Sequence, residues 1–402
     1  MSSQHSEWFD PVVDRRGTNS MKWRAGEYLL SPEQRAADPL PMWVADMDFA
    51  APAPVREALR EVAEFGLYGY PAPVSDSYRD AVSAWQLRRH AHEVDPDWIV
   101  PTTGIITALK AAVQIFSAPG DTVLVQPPVY GHFRDDVELN GRRPIYAPLR
   151  LAGERYVFDP EEFRRAIRPD TRLFILSNPH NPTGNVWSSE DLRLMGEICL
   201  EHDVFVIADE IHQDFVLSPD RRHVPFASLG PPFAANSMTC LSASKTFNLA
   251  GLQVANVLLA HPARRRIFAQ QIERNQFSLL NVFGTVATEV AYREGAAWLD
   301  SLLDYLRGNQ EHFRQTMNSF GVFHAFPMDS LYLAWVDARA TGLDADVLQD
   351  RLLTRARVWF DHGPKFGDEG RGFVRANVGC PRRTLDEALE RLGDALNEGA
   401  FE

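Results

Sequence analysis

The segment from Ser242 to Gly251 reads S-A-S-K-T-F-N-L-A-G and places one lysine, Lys245, among small and hydroxylated residues. An apolar run that ends at Leu241 precedes it. A lysine just after a buried strand loses hydration, which lowers its pKa and makes the amine a candidate Schiff-base nucleophile at neutral pH. The alternative is a solvated lysine on a turn, and Ser-x-Ser-Lys alone does not decide between the two.

Short apolar runs alternate with helix-like segments along most of the chain. The runs cover residues 122–125, 173–176, 204–208, 238–241 and 254–260. This alternation predicts a largely parallel sheet with helices on both faces. In such sheets the ligand site lies beyond the carboxyl ends of the strands. The residues that come after apolar runs and are expected to meet there are Gly104, Tyr130, Asn181, Asp209 and Lys245.

Composition limits the classes of partner. The chain has 402 residues and a formal net charge of −13, which argues against nucleic acid or an anionic membrane as a general partner. Any anion site must therefore be local. The histidines form no H-E-x-x-H or other compact metal pattern, so no metal is predicted.

The cysteines and the N-terminus bear on the compartment. Cys199, Cys240 and Cys380 lie far apart and form no C-x-x-C pair, which fits a reducing cytoplasm better than a disulfide framework. The N-terminus has no basic region followed by an apolar run, and no stretch approaches 18 apolar residues. We therefore expect neither a signal peptide nor a spanning helix, and a cytoplasmic location.

Three further stretches accompany the Lys245 segment: T-T-G-I-I-T-A-L-K from Thr102, S-N-P-H-N-P-T-G from Ser177 and A-D-E-I-H from Ala208. In order and spacing these stretches resemble the fold-type I pyridoxal-phosphate (PLP) enzymes of the class I/II aminotransferase superfamily. The resemblance implies an α/β fold with a large domain, built on a mostly parallel seven-stranded sheet between helices, and a smaller α+β domain.

Four more motifs resemble the cystathionine β-lyase branch of MalY/PatB type. They are R-R-G-T-N-S-M-K-W from Arg15, P-M-W-V-A-D-M-D-F from Pro41, H-G-P-K-F-G from His362 and F-V-R-A-N-V-G-C-P-R from Phe373. The resemblance spans roughly residues 9 to 395. With the sequence pattern it predicts an N-terminal arm at 1–14, a small domain from 15–50 and 296–402, and a large PLP-binding domain at 51–295. It also implies a homodimer with shared active sites.

The resemblance assigns roles to the residues around the cofactor ring. Lys245 would form the Schiff base, Asp209 would pair with the pyridine nitrogen, and Asn181 would bind the phenolic oxygen. Tyr130 would stack on the ring and contact the substrate, and His212 stands where aminotransferases usually have tyrosine. The ordinary alternatives are a helix cap for Asp209, a turn for Asn181 and a core position for Tyr130.

A second group of roles concerns the anions. A small-residue turn that opens a helix can bind phosphate through free N–H groups, so Gly104, Ile105 and Ile106 are candidate phosphate ligands. The resemblance adds Ser242, Ser244 and Tyr70, the last reaching a neighbouring subunit. Gln253 stands where the superfamily frequently has an arginine. Arg375 matches the arginine that takes the substrate α-carboxylate, with Asn181 beside it; a structural salt bridge is the alternative.

The implied reaction is α,β-elimination of an S-substituted L-cysteine, such as cystathionine, to a thiol, pyruvate and ammonia. Three alternatives stay open: an aminotransferase, a specialised secondary-metabolism enzyme that acts on an S-conjugated amino acid by elimination or oxidative deamination, and a non-catalytic regulatory protein. The sequence does not fix the substituent on sulfur, because several loops build that wall of the pocket.

Overall fold

The computed structural model describes residues 7–402, which form two main sheets and one small hairpin. The strands, in chain order, are β1 (Leu40–Met42), β2 (Ile99–Thr102), β3 (Thr122–Val125), β4 (Arg143–Tyr146), β5 (Arg150–Ala152), β6 (Arg155–Val157), β7 (Thr171–Ser177), β8 (Phe205–Asp209), β9 (Ser237–Leu241), β10 (Ala255–Leu258), β11 (His324–Ala325), β12 (Leu333–Asp337), β13 (Val358–His362) and β14 (Phe373–Asn377). Strands β5 and β6 form the hairpin.

The larger sheet has seven strands in the order β2-β10-β9-β8-β7-β3-β4. Strand β10 is antiparallel to both of its neighbours, and the other pairs are parallel. The prediction of a largely parallel, seven-stranded sheet is confirmed. The continuous apolar runs arise because both faces are buried, so neither set of alternate side chains needs to be polar.

Successive side chains of strand β8 pack into two different hydrophobic clusters, one on each face of the sheet. On β8, Ile207 joins a cluster with the helix Ile105–Phe116, whereas Val206 and Ala208 join a second cluster with the helix Ser189–Glu201. Side chains of a strand point alternately to its two faces, so each cluster covers one face of the sheet. The rigid layer that results fixes where the strand ends lie.

The smaller sheet has five strands in the order β1-β13-β14-β12-β11. Strand β1 pairs in parallel with β13, so residues near both ends of the chain meet here. The helices Ala296–Ser319 and Arg382–Asn397 pack against this sheet through Phe313, Leu385 and other buried residues. The predicted domain boundaries stay a prediction, although all five strands come from the two segments assigned to the small domain.

The helices are Met21–Arg24, Gly26–Leu29, Pro32–Ala36, Ala53–Phe65, Asp76–His90, Ile105–Phe116, His132–Leu139, Pro160–Ala166, Ser189–Glu201, Pro231–Ala235, Ala243–Thr246, Pro262–Arg274, Val282–Glu294, Ala296–Ser319, Ala345–Thr354 and Arg382–Asn397. Within residues 7–402, none of the helices combines the length and the apolar character needed to cross a membrane.

The N-terminal arm predicted at 1–14 contacts the core in its described part. Residues 1–6 of that arm lie outside the described residues, but Phe9 is fully buried. Its ring packs edge-on against Phe49 and Trp298, with centroids 5.1 and 5.5 Å away. Burial of an aromatic ring stabilises this contact, so the segment around Phe9 is part of the core.

Candidate active site

A cleft of about 770 Å³ opens at the carboxyl ends of the central strands and extends to the smaller sheet. The predicted site residues that line it are Gly104, Ile105, Ile106, Tyr130, Asn181, Asp209, His212, Ser242, Ser244, Lys245 and Arg375. Tyr70 is the exception, because it lies outside this cleft with 97% of its surface exposed. The structure thus brings the predicted residues together apart from Tyr70, and their roles stay a prediction.

Lys245 lies on a short helix, Ala243–Thr246, directly after β9. Its Nζ donates a hydrogen bond to the carbonyl oxygen of Ala45 at 2.6 Å. Burial lowers the pKa of Lys245 to about 8, and the positive charge of Arg375 acts in the same direction against the carboxylates of Asp46 and Asp209. A substantial neutral fraction of this amine is therefore present near neutral pH, as a nucleophile or base requires.

Asp209 is the last residue of β8 and is 8% exposed. Its carboxylate accepts a hydrogen bond from the Ile211 N–H at 3.2 Å. Burial raises the pKa of Asp209 to about 7, and the neighbouring Glu210 adds to the shift. A buried carboxylate with this environment is stabilised by a cation, so the end of β8 is suited to a protonated ring nitrogen.

Three further polar residues line the cleft near Asp209 and Lys245: Asn181, Tyr130 and His212. The backbone N–H of Tyr130 donates to the Asn181 carbonyl at 3.1 Å, which ties the two loops together. Burial raises the pKa of Tyr130 to about 12, so its phenol stays protonated. Burial, with the charges of Lys245 and Arg375, lowers the pKa of His212 well below its ordinary value, so this imidazole is neutral.

Arg375 projects from β14 and is 4% exposed. Its guanidinium donates to Asn181 Oδ1 at 2.9 Å, to the Trp43 carbonyl at 3.2 Å and to Asp361 Oδ2 at 2.7 Å. It also lies 4.7 Å from the centre of the Phe366 ring. These four partners fix the orientation of Arg375. Across the cleft it faces the side that carries Asn181, Asp209 and Lys245, called here the large-domain wall; the side that carries Arg375 and Asp361 is called the small-domain wall.

Two functional candidates were not predicted from the sequence. Asp361 joins Arg375 to Lys365, because its other oxygen accepts from Lys365 Nζ at 2.8 Å. Asp361 and Lys365 both line the cleft. Lys365 stands within the H-G-P-K-F-G motif, and Asp361 directly precedes it, so this motif was the available signal.

The start of the helix Ile105–Phe116 offers an anion cradle. Gly104 adopts φ 140°, a value that L side chains rarely adopt, and no side chain caps the helix. Ile105, Ile106 and Ser244 line the cleft, and the N–H groups in the first turn of a helix have no partner within the helix. Ser242 Oγ already donates to the Val254 carbonyl at 2.6 Å and accepts the Ser244 N–H at 3.0 Å, so it has little capacity left.

These residues fit the cofactor that the sequence resemblance implies. Asp209 suits a pyridinium nitrogen, the cradle at Gly104 suits a phosphate, and Lys245 suits an aldehyde carbon. Two buried polar atoms at the cleft, His212 Nδ1 and Arg375 Nε, have no hydrogen-bond partner within residues 7–402. Buried polar atoms are normally paired, so His212 and Arg375 retain hydrogen-bonding capacity that the described residues do not use.

Known proteins are similar to this protein in sequence and in fold. Residues 37–392 match the family model described as "Aminotransferase class I and II". The chain is 42% identical over 392 residues to cystathionine beta-lyase PatB of Bacillus subtilis (strain 168), covering 97% of this chain and 100% of that protein.

Two solved structures are also similar. A PLP-bound putative aminotransferase from Clostridium difficile 630 superposes with a TM-score of 0.93 and 36% identity, covering 97% of this chain and 99% of that one. The PLP-bound C-S lyase from Staphylococcus hominis gives a TM-score of 0.89 and 30% identity, covering 96% of this chain and 97% of that one. Because the family model extends over most of the chain, this protein belongs to the class I and II aminotransferase family.

Proposed function

We propose that this protein is a PLP-dependent carbon–sulfur β-lyase that cleaves cystathionine or another S-substituted L-cysteine to a thiol, pyruvate and ammonia. The observation that carries the proposal is the convergence of Lys245, Asp209 and Arg375 on one cleft. The names of two similar proteins, cystathionine beta-lyase PatB and the C-S lyase of Staphylococcus hominis, favour elimination over the other reactions of the family.

The large-domain wall would hold the cofactor. Bound PLP supplies an electron sink for negative charge that develops at the substrate Cα. Lys245 would hold it covalently, Asp209 would keep its ring nitrogen protonated, and Asn181 would donate to its phenolic oxygen. Tyr130 would cover the ring face. The N–H groups of Ile105 and Ile106, with Gly104, Ser244 and in lesser part Ser242, would bind the phosphate.

The small-domain wall would orient the substrate. Arg375 presents a planar guanidinium that pairs well with an α-carboxylate. Its bond to Asn181 Oδ1, at 2.9 Å, keeps the guanidinium directed at the cofactor site. Orientation of this kind would direct the Cα–H bond toward Lys245, and positioning of reacting groups can contribute a large share of catalysis.

Lys245 would then move the proton. Near pH 8, the pKa of its amine, about half of the Lys245 Nζ groups are neutral and could take the Cα proton of a substrate held at this site. A thiol with an ordinary pKa near 8.5 leaves readily from Cβ as thiolate. Because the pKa of His212 lies well below its ordinary value, this imidazole is neutral and adds no positive charge beside Lys245.

The assembly we propose is a homodimer in which Tyr70 reaches the neighbouring phosphate. Tyr70 is 97% exposed, and Phe65, Leu67 and Tyr68 beside it are also exposed. A contiguous exposed apolar group of this kind marks an interaction surface. Tyr70 would complete a phosphate site that has Gln253 in place of an arginine.

We also propose a cytoplasmic location, on the basis of the cysteines. Cys199, Cys240 and Cys380 are free thiols and are all buried. Burial raises the pKa of Cys380 to about 12, so the thiol stays protonated and unreactive. Unpaired cysteines are typical of reducing compartments.

The test is to titrate purified protein with L-cystathionine while following the absorption of bound cofactor and, through lactate dehydrogenase, the release of pyruvate. We expect steady pyruvate release that Lys245→Ala abolishes. A cofactor band without pyruvate from cystathionine or from bulkier S-conjugates would refute the lyase. No band after PLP is supplied would refute the site.

Transamination is the second candidate, because the family and the 36% identical structure from Clostridium difficile carry the aminotransferase description. The same residues serve both reactions until Cβ loses its substituent. An amino-acid substrate that consumes a keto-acid acceptor and releases no pyruvate would favour this candidate. Oxygen-dependent release of ammonia would favour oxidative deamination.

A further inference from the structure

The helix that carries Lys245 is too short to fix its own orientation. It contains four residues, Ala243–Thr246. A single turn has almost no internal hydrogen bonding to resist rotation about its axis. The direction of the Lys245 amine must therefore depend on contacts that this turn makes with the rest of the protein.

Thr246, the residue after Lys245, makes such a contact. It is fully buried, and its hydroxyl donates to Asp214 Oδ2 at 2.7 Å. Successive residues of a helix point about 100° apart, so Lys245 can enter the cleft while Thr246 enters the core. A rotation of the turn that displaced the Thr246 hydroxyl would displace the Lys245 amine as well.

Asp214 is held rigidly from the other side. It is 4% exposed, and His90 Nε2 lies 2.9 Å from its Oδ1, with Trp85 Nε1 at 3.2 Å from the same oxygen. Burial alone would raise the pKa of Asp214, but the hydrogen bonds and charge of His90 and the Thr246 bond lower it. The Trp85 ring also packs 5.5 Å from Phe247, the residue after Thr246.

The same network reaches the segment that carries Asp209. The rings of His90 and His223 are 5.2 Å apart, and His223 Nε2 lies 3.2 Å from Glu210 Oε2. Glu210 comes directly after Asp209 and also accepts from the Phe226 N–H at 2.8 Å. The polar groups behind the cleft thus connect the helical turn that carries Lys245 to Glu210, the residue after Asp209.

We propose that Asp214 is a positioning residue for Lys245: through Thr246 it fixes the rotation of the turn 243–246 and so the direction of the amine. This inference rests on the proposed function only in that Lys245 must hold the cofactor. Neither Asp214 nor Thr246 belongs to the residues that line the cleft, so their effect is exerted through the turn.

The test compares four variants of the holoenzyme. Thr246→Val removes the hydroxyl at similar volume, Thr246→Ser keeps it, and Asp214→Asn removes the charge. The matched control is Thr239→Val. Thr239 is 1% exposed on β9, and its hydroxyl has no hydrogen-bond partner among the described residues. The readouts are the pH midpoint of the bound-cofactor absorption band, kcat and KM for pyruvate release, and Tm.

We expect Thr246→Val to shift the midpoint by about half a pH unit or more and to lower kcat at least about tenfold, with KM within about threefold. Asp214→Asn should act in the same direction. Thr246→Ser and Thr239→Val should both resemble the unmodified protein. A Tm of Thr246→Val close to that of Thr239→Val would confirm that the loss is local.

The proposal is overturned if Thr246→Val matches Thr239→Val in both midpoint and kcat, or if Thr246→Ser is as impaired as Thr246→Val. If Asp214→Asn does not fold, the three threonine variants still test whether the Thr246–Asp214 hydrogen bond positions Lys245. If the unmodified protein binds cofactor and releases no pyruvate, the lyase proposal fails, and the absorption midpoint alone still decides the role of Asp214.

Discussion

The buried carboxylates on the two walls of the cleft differ in their partners. On the large-domain wall, Asp209 accepts a backbone N–H at 3.2 Å and has its pKa raised to about 7 by burial. On the small-domain wall, Asp361 contacts Arg375 at 2.7 Å and Lys365 at 2.8 Å. The protein itself neutralises the second carboxylate and leaves the first to a ligand. Under the proposed function, the large-domain wall would hold a resident cation, and the charged groups of the small-domain wall would exchange partners when a substrate carboxylate binds.

The largest expected effect separates the two lysines of the cleft. Lys245→Ala removes the group proposed to hold the cofactor and to move the proton, so pyruvate release should fall at least about 10³-fold. Lys365→Ala, on the opposite wall, removes only a partner of Asp361 and should lose less than about tenfold. Coupled pyruvate assays compare the two, and similar losses would contradict the division of roles.

The next effect separates the two carboxylates. Asp209→Asn should lower kcat by about 10² to 10³-fold with a smaller change in KM, because the charge is needed once negative charge develops in the reaction. Asp361→Asn should act mainly on KM through Arg375. Steady-state kinetics on L-cystathionine measures both. A larger effect of Asp361→Asn than of Asp209→Asn on kcat would contradict the different roles assigned to the two carboxylates.

Arg375→Lys tests the small-domain wall alone. Lysine keeps the charge but loses the planar fork, so KM should rise about 10 to 100-fold with kcat less affected. Arg339→Lys is the matched control, since its side chain is 57% exposed on the same domain, and it should stay within about twofold of the unmodified enzyme. An unchanged KM in Arg375→Lys would exclude carboxylate binding at this residue.

The smallest effect concerns stability and pH in cofactor-free protein. Between about 3.9, where the Asp209 carboxyl ionises in the unfolded chain, and its folded pKa of about 7, the native state holds a proton that the unfolded state has released. The free energy of unfolding therefore falls as pH rises through this window.

Asp209→Asn removes that fall, so the free energy of unfolding of the variant without cofactor should exceed that of the unmodified protein by about 4 kcal/mol at pH 7.5 and by less than half of that at pH 5. Denaturant unfolding at both pH values measures this difference. A constant difference between the two pH values would show that Asp209 is not destabilised by burial. Added PLP should reverse the order, because it binds the unmodified protein more tightly.

Local patterns were enough to predict where the residues of the large-domain wall lie, whereas their roles were implied by the family resemblance. Asp209 and Lys245 each stand at the end of a short apolar run, and buried parallel strands bring the residues at their carboxyl ends to one edge of the sheet. The anion cradle at Gly104 has the same origin in a small-residue turn that opens a helix. These residues are fixed by neighbours in the chain, so periodicity and motif spacing locate them.

The partners of Arg375 and Lys245 were decided by the tertiary structure. Arg375 contacts a side chain 194 residues away in Asn181, and Lys245 contacts the backbone 200 residues away at Ala45. The burial of Phe9 and the parallel pairing of β1 with β13 also join distant segments. The sequence by itself determined most strands of the larger sheet, the residues that follow them and the family. The packing of the two sheets against each other decides which charged side chains pair across the cleft and which remain for ligands. The electrostatic energy of each pair depends on burial and on distance, and a local stretch of sequence specifies neither.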